Sequence, residues 1–133
     1  MGYKLQTYLN EGYDYFISGM AQGIDMIFAE TVIQFKEHYD LNIKLECALP
    51  CRNQTEKWNN DDIHRYNAIL SKADIITFIS EEYNEKCMMK RNIYMIDKSD
   101  AVLGFWNGKK NNGTWRTIHY AQLKHKEIDI VRI

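Results

Sequence analysis

The chain has 133 residues, 45% apolar and 13% aromatic, which suits one domain (1–133) with a packed core. Its 17 basic and 18 acidic side chains nearly cancel, so charge gives no case for nucleic acid. No apolar run reaches membrane-spanning length, the N-terminus lacks a signal peptide's layout, and three cysteines without disulfide-like spacing point to a reducing cytoplasm.

Residues 3–11 read as a short helix with Leu5, Tyr8 and Leu9 on its apolar stripe and Gly12 as a left-handed stop. Tyr13 to Ile17 is aromatic and β-branched, as a buried strand should be. Ser18 and Gly19 break that pattern. From Gly23 onward the period becomes helical, with Ile24, Ile27, Phe28, Thr31 and Phe35 predicted on one face. A small-residue turn between a strand and a helix start leaves backbone amides free at the positive end of the helix dipole. That arrangement suits an anion, above all a phosphate. Gly19 and Gly23 let a ligand approach the backbone. A plain tight turn explains the same residues. Asp25 favours the dipole but repels phosphate, which points it at a ribose hydroxyl or a base edge.

Leu41 to Pro50 is the next strand: Ile43, Leu45, Cys47 and Leu49 alternate with Lys44, Glu46 and Ala48. Pro50 ends it. The polar loop 53–60 carries Gln54 and Trp58; the indole is placed either to stack on a ligand ring or to fold back over the core. Asp61 to Lys72 reads as a helix capped by Asn60 or Asp61, with Ile63, Tyr66, Ile69, Leu70 and Ala73 inward. Asp74 to Ser80 is an almost continuous apolar run, which predicts a strand buried on both faces of a parallel sheet. A helix is expected over 91–98. There Arg91 is a candidate phosphate clamp or ion-pair partner, beside Asn92 and Asp97. Ala101 to Trp106 is a fourth strand, 107–112 a loop, and Gly113-Thr114 a second glycine-bearing helix start where Thr114 can cap or meet a phosphate. A last strand lies within 126–133.

Strands alternating with helices predict an α/β fold: three layers, Rossmann-like, with a mainly parallel sheet. In such folds ligands bind at the carboxyl edge of the strands, where the two glycine-bearing turns are expected to meet. No metal or cofactor is implied. Cys47 and Cys51 lack the spacing of a zinc site, and burial is the default for a strand cysteine.

Four motifs in register carry a resemblance. They are Ile17-Ser-Gly-Met-Ala-Gln-Gly-Ile-Asp25, Pro50 with Gln54 and Trp58, the run from Cys87 through Met88, Arg91, Asn92, Tyr94 and Asp97 to Asp100, and the run from Gly113 through Thr114, Thr117 and Tyr120 to Ala121. Together they span nearly the whole chain and resemble the YpsA-like branch of the SLOG superfamily, in a short, prophage-type form. That superfamily includes the LOG phosphoribohydrolases. The resemblance implies a Rossmann-like fold that binds a nucleotide or nucleotide-derived small molecule, with sensing or sequestering of a nucleotide signal as one use.

It also implies a ligand site: Ser18, Gly19, Met20 and Gly23 with Gly113 and Thr114 on the phosphate, Arg91 adding charge, Asp25 a ribose contact, Trp58 or Tyr120 a stacking face, and Asn92, Asp97 and Thr117 as further ligand-binding residues. Two departures qualify this. Relatives begin with a strand that Met1-Gly2 replaces with a helix, so the sheet is expected to lack a member, and a homodimer is one way to close the gap. Thr117 stands where LOG enzymes carry a catalytic glutamate, and a hydroxyl cannot stabilise an oxocarbenium-like transition state as a carboxylate does. The expectation leans away from an enzyme. The alternatives are an N-glycosidic hydrolase using Asp25, Glu30 or Asp97, and an interaction protein that has kept its core and lost its ligand.

Overall fold

Helices and strands alternate through the chain in the computed structural model, which describes residues 1–110 and 112–133. Asn111, inside the expected loop 107–112, lies outside the described residues. Two compact units divide the chain, Met1–Tyr83 and Asn84–Ile133.

In the first unit α1 (Gly2–Asn10) leads to β1 (Tyr15–Ser18), α2 (Ile24–His38), β2 (Lys44–Leu49), α3 (Asn60–Lys72) and β3 (Ile75–Phe78). Gly12 takes φ +94, the left-handed stop expected after α1. The three strands pair in the order β1-β2-β3, all parallel, as two successive strand–helix–strand units require. Phe16 sits opposite Leu45, and Cys47 opposite Ile76. One face of this sheet meets all three helices of the unit. Leu5, Met26, Ala29, Val32, Tyr66 and Ile69 join Phe16, Leu45, Cys47 and Leu49 in one cluster.

Four local expectations are corrected by this packing. α2 buries Met26, Ala29, Thr31, Val32 and Ile33; of the expected face Thr31 is buried, Phe28 and Phe35 pack against the core, and Ile27 is 41% exposed. A helix lying over a sheet and beside α3 buries a broad face, and the apolar spacing alone placed its centre wrongly. The α3 cap is Asn59, whose side chain accepts from the Asp62 amide at 2.8 Å. β3 is an edge strand, so Ile75 and Ile76 stay 38% and 42% exposed instead of covered on both faces. Finally, β2 is the central strand, and both of its faces are covered. Glu46, expected on the polar side of the alternation, is fully buried.

Glu46 is tolerated there because hydroxyls meet it. Tyr15 on β1 donates to one carboxylate oxygen at 2.5 Å, and Thr77 on β3 donates to the other at 2.9 Å. The same acid, together with burial, acts on its neighbour: burial first, then the Glu46 charge, pushes the Cys47 thiol up to about 12. At the start of β3 Asp74 ties the edge to the centre. Its carboxylate accepts from Lys36 at 2.7 Å and from the Leu45 amide at 2.8 Å.

In the second unit α4 (Cys87–Lys98) is followed by β4 (Ala101–Trp106), α5 (Gly113–Leu123) and β5 (Glu127–Arg132). The helix expected over 91–98 begins a turn earlier, at Cys87. β4 and β5 pair in parallel, Val102 against Ile128 and Gly104 against Ile130, and α5 crosses between them. All observed strand pairs are thus parallel, and the architecture is an α/β fold of Rossmann-like kind; the strands form a three-stranded and a two-stranded sheet. No helix is long and apolar enough to cross a membrane among the described residues.

Candidate functional site

The turn from β1 into α2 is built from its own side chains. Ser18 ends β1, and its Oγ accepts from the Met20 amide at 3.2 Å while donating to the Asp25 carbonyl at 2.8 Å. Asp25 Oδ2 accepts from the Ala21 amide at 3.1 Å. These bonds fold residues 18–25 into a tight crook. Met20 takes φ +58 within it, and Gly23 takes φ +88 at the start of α2. A methionine at positive φ is costly, and its fully buried side chain holds it there. Ser18, Gly19 and Met20 form the buried floor of the turn, while Gln22 and Gly23 are exposed.

The start of α2 differs from those of α3 and α5. Asn59 and Asn112 cap those two helices through side-chain oxygens, whereas α2, like α1 and α4, has no side-chain cap, and it begins on Gly23. A helix start without a cap keeps donors for an acceptor from outside. Asp25 lies in its first turn, so a negative charge already faces those donors.

The loop after β2 closes over this turn. Gln54 Nε2 donates to the Met20 carbonyl at 3.0 Å, and Gln22 Nε2 reaches Asp62 of α3 at 2.8 Å. Trp58 is half-buried and packs edge-on against Tyr66, with ring centroids 5.4 Å apart. Its indole is folded onto the core, one of the two positions open to it from the sequence. The loop is pinned at its far side as well, where Asn53 accepts from the Tyr83 amide at 3.2 Å and the Arg52 amide donates to the Glu81 carbonyl at 3.2 Å.

In the second unit the remaining candidates form a chain between α4 and α5. Arg91 is 6% exposed, and its Nε donates to Asn92 Oδ1 at 2.8 Å. Asn92 Nδ2 donates to Thr117 Oγ1 at 2.9 Å, and that hydroxyl donates to the Gly113 carbonyl at 2.9 Å. Thr117 therefore braces two helices. The α5 cap is Asn112, accepting from the Trp115 amide at 2.8 Å, so Thr114 does not cap and lies exposed in the first turn. Tyr120 donates its hydroxyl to Asp97 at 2.7 Å, which raises the phenol's pKa, and Lys124 sits 5.5 Å from its ring.

Each carboxylate considered for acid–base work has a partner. Glu30 is paired with Arg65 at 2.5 Å, Asp25 holds the Ala21 amide, and Asp97 holds Tyr120. The sequence does not mark Gln54 as a contact residue, although it stands in the Pro50–Trp58 motif. Its signal, a lone amide in a polar loop, is common to surface glutamines.

The model of the YspA SLOG family matches residues 1–132. A UPF0398 protein of Bacillus cereus (strain G9842) is 31% identical over 109 residues, covering 80% of this chain and 59% of its own length. A UPF0398 protein of Bacillus thuringiensis (strain Al Hakam) is 30% identical over 128 residues, 95% of this chain and 68% of its own length. The chain thus spans less than two thirds of the first of these relatives.

Proposed function

Since this chain belongs to the YspA SLOG family, we propose that it binds a nucleotide or nucleotide-derived small molecule, with an anionic phosphate at the β1–α2 turn. The observation that carries this reading is the uncapped start of α2, on Gly23 at φ +88, next to a turn whose conformation is fixed by Ser18, Met20 and Asp25. Such a start offers a phosphate the positive end of the helix. The role is binding without turnover, as in sensing or sequestering a nucleotide signal. The engagement of Glu30, Asp25 and Asp97 in other bonds, and a threonine at 117, support that side of the reading. Three buried cysteines, none of them in a disulfide, support a reducing, cytoplasmic setting.

Native mass spectrometry followed by a thermal-shift screen of AMP, GMP and ADP-ribose tests this. Saturation at a hundred times the dissociation constant adds about 2.7 kcal/mol of stability. A shift of that size with no product formed supports the reading; sustained product formation overturns the binding-only role, and no shift with any nucleotide overturns the whole. The native mass also reports whether two copies associate.

A further inference from the structure

We infer that Gln54 sets the specificity of this site, its side-chain oxygen accepting a hydrogen bond from an N–H or O–H of the nucleotide. The inference rests on the nucleotide reading above. Gln54 Nε2 donates to the Met20 carbonyl at 3.0 Å. That bond fixes the orientation of the amide, because turning it over would set two acceptors against each other. Oε1 must then face away from Met20. It is buried without a hydrogen-bond partner, the one such side-chain atom among the described residues. Buried acceptors are almost always satisfied, and one left over marks a place where a donor belongs.

Its position connects it to the turn. Met20 is the positive-φ residue at the heart of the β1–α2 crook, so Gln54 is anchored on the element assigned to the phosphate. The acceptors identified within the crook are engaged by the turn itself: Ser18 Oγ by the Met20 amide and Asp25 Oδ2 by the Ala21 amide. The α2 start supplies donors, and Gln54 supplies an acceptor for the ligand beyond its phosphate. A neutral amide oxygen does this without adding a charge that repels phosphate. The loop that carries it is held by Trp58 on Tyr66 and by Asn53 on the Tyr83 amide, and a ligand donor reaches the buried oxygen once the atoms that cover it give way. The chemistry expected is a nucleotide with a base amino or imino group, or a ribose hydroxyl, presented to this oxygen.

Calorimetric titration separates these cases. Wild type and Gln54→Met are titrated with AMP and GMP, with their 2′-deoxy forms, and with purine riboside 5′-monophosphate, which lacks the base donors. Methionine keeps the length and removes the acceptor. Wild type is expected to bind AMP or GMP about tenfold or more tighter than one of the analogues, since a site built to pair with a donor rejects a ligand lacking it. Loss against purine riboside 5′-monophosphate assigns the donor to the base; loss against the deoxynucleotide assigns it to the ribose. Gln54→Met is expected to bind the parent nucleotide about tenfold weaker and to lose the discrimination. Equal binding of parent and both analogues by wild type overturns the inference even if the variant fails to fold. Unchanged discrimination in a folded Gln54→Met overturns it too, leaving the nucleotide reading intact. Failure of wild type to bind either nucleotide overturns both.

Discussion

Asp25 reaches back over the start of its own helix, its Oδ2 accepting from the Ala21 amide at 3.1 Å. The negative charge that holds the turn in shape therefore sits beside the donors that a phosphate would use. Structure and ligand compete for one electrostatic position.

This yields a prediction of opposite signs. Asp25→Asn keeps an oxygen for the Ala21 amide but removes the charge. Stability should fall by about 0.3–1 kcal/mol, the worth of an acid in a first helical turn, while affinity for AMP or GMP should rise several-fold. Urea denaturation and calorimetric titration of the same samples check both. A fall in affinity would instead give Asp25 a direct contact with a sugar hydroxyl.

The buried Glu46 makes a second test. Tyr15→Phe removes a hydroxyl 2.5 Å from a buried carboxylate, and a hydrogen bond to a charged group is worth about 1.5–3 kcal/mol. Chemical denaturation should show a loss of that size. In a Glu46→Gln background the same change should cost less, because the charge that strengthens the bond is gone. An equal cost in both backgrounds would mean that the tyrosine acts through packing alone.

Acid stability should report Asp74. Burial works against its charge, but the Lys36 ammonium, the Leu45 amide and nearby Lys44 outweigh it and hold the carboxyl below its ordinary value. A group lowered in this way stabilises the fold above its unfolded pKa of about 3.9 and gives that stability up as pH falls through the lower native value. Wild type should therefore lose more stability than Asp74→Asn on going from neutral pH to below that range. Parallel urea titrations at several pH values check this; identical acid limbs would remove Asp74 from the account.

Cysteine chemistry offers a fourth check. Cys47 is fully buried and its thiol is pushed up to about 12, so almost no thiolate exists at pH 8. Iodoacetamide should leave Cys47 unmodified in the native protein and label it after denaturation, as peptide mass mapping would show. Rapid native labelling would place Cys47 at an open position.

Most of the element order was legible, because each strand and helix of this chain carries its own period and its own punctuation: Gly12 after α1, Pro50 after β2, Gly113 at α5. What was not legible depends on neighbours. The run 74–80 has the apolar density of a covered strand, yet its place at the edge leaves Ile75 and Ile76 open. Glu46 reads as a solvent-side residue until Tyr15 and Thr77 arrive from strands 31 residues away in sequence on either side. The caps were misplaced by one or two residues, Asn59 for Asn60 and Asn112 for Thr114, because several capping residues stand together and only backbone direction selects one. At the candidate site the glycines and Ser18 were visible from spacing. The engagement of Asp25 by the turn and the leftover oxygen of Gln54 were not, since both arise from the way one loop lies on another.

The central claim is that a nucleotide phosphate sits at the β1–α2 turn, and titration of AMP and GMP into ¹⁵N-labelled protein, followed by amide chemical shifts, tests it most directly. The account predicts saturable shifts concentrated on residues 18–26, with the Gln54 side-chain amide moving alongside them. Saturable shifts confined to other segments, or none at millimolar nucleotide, would contradict it.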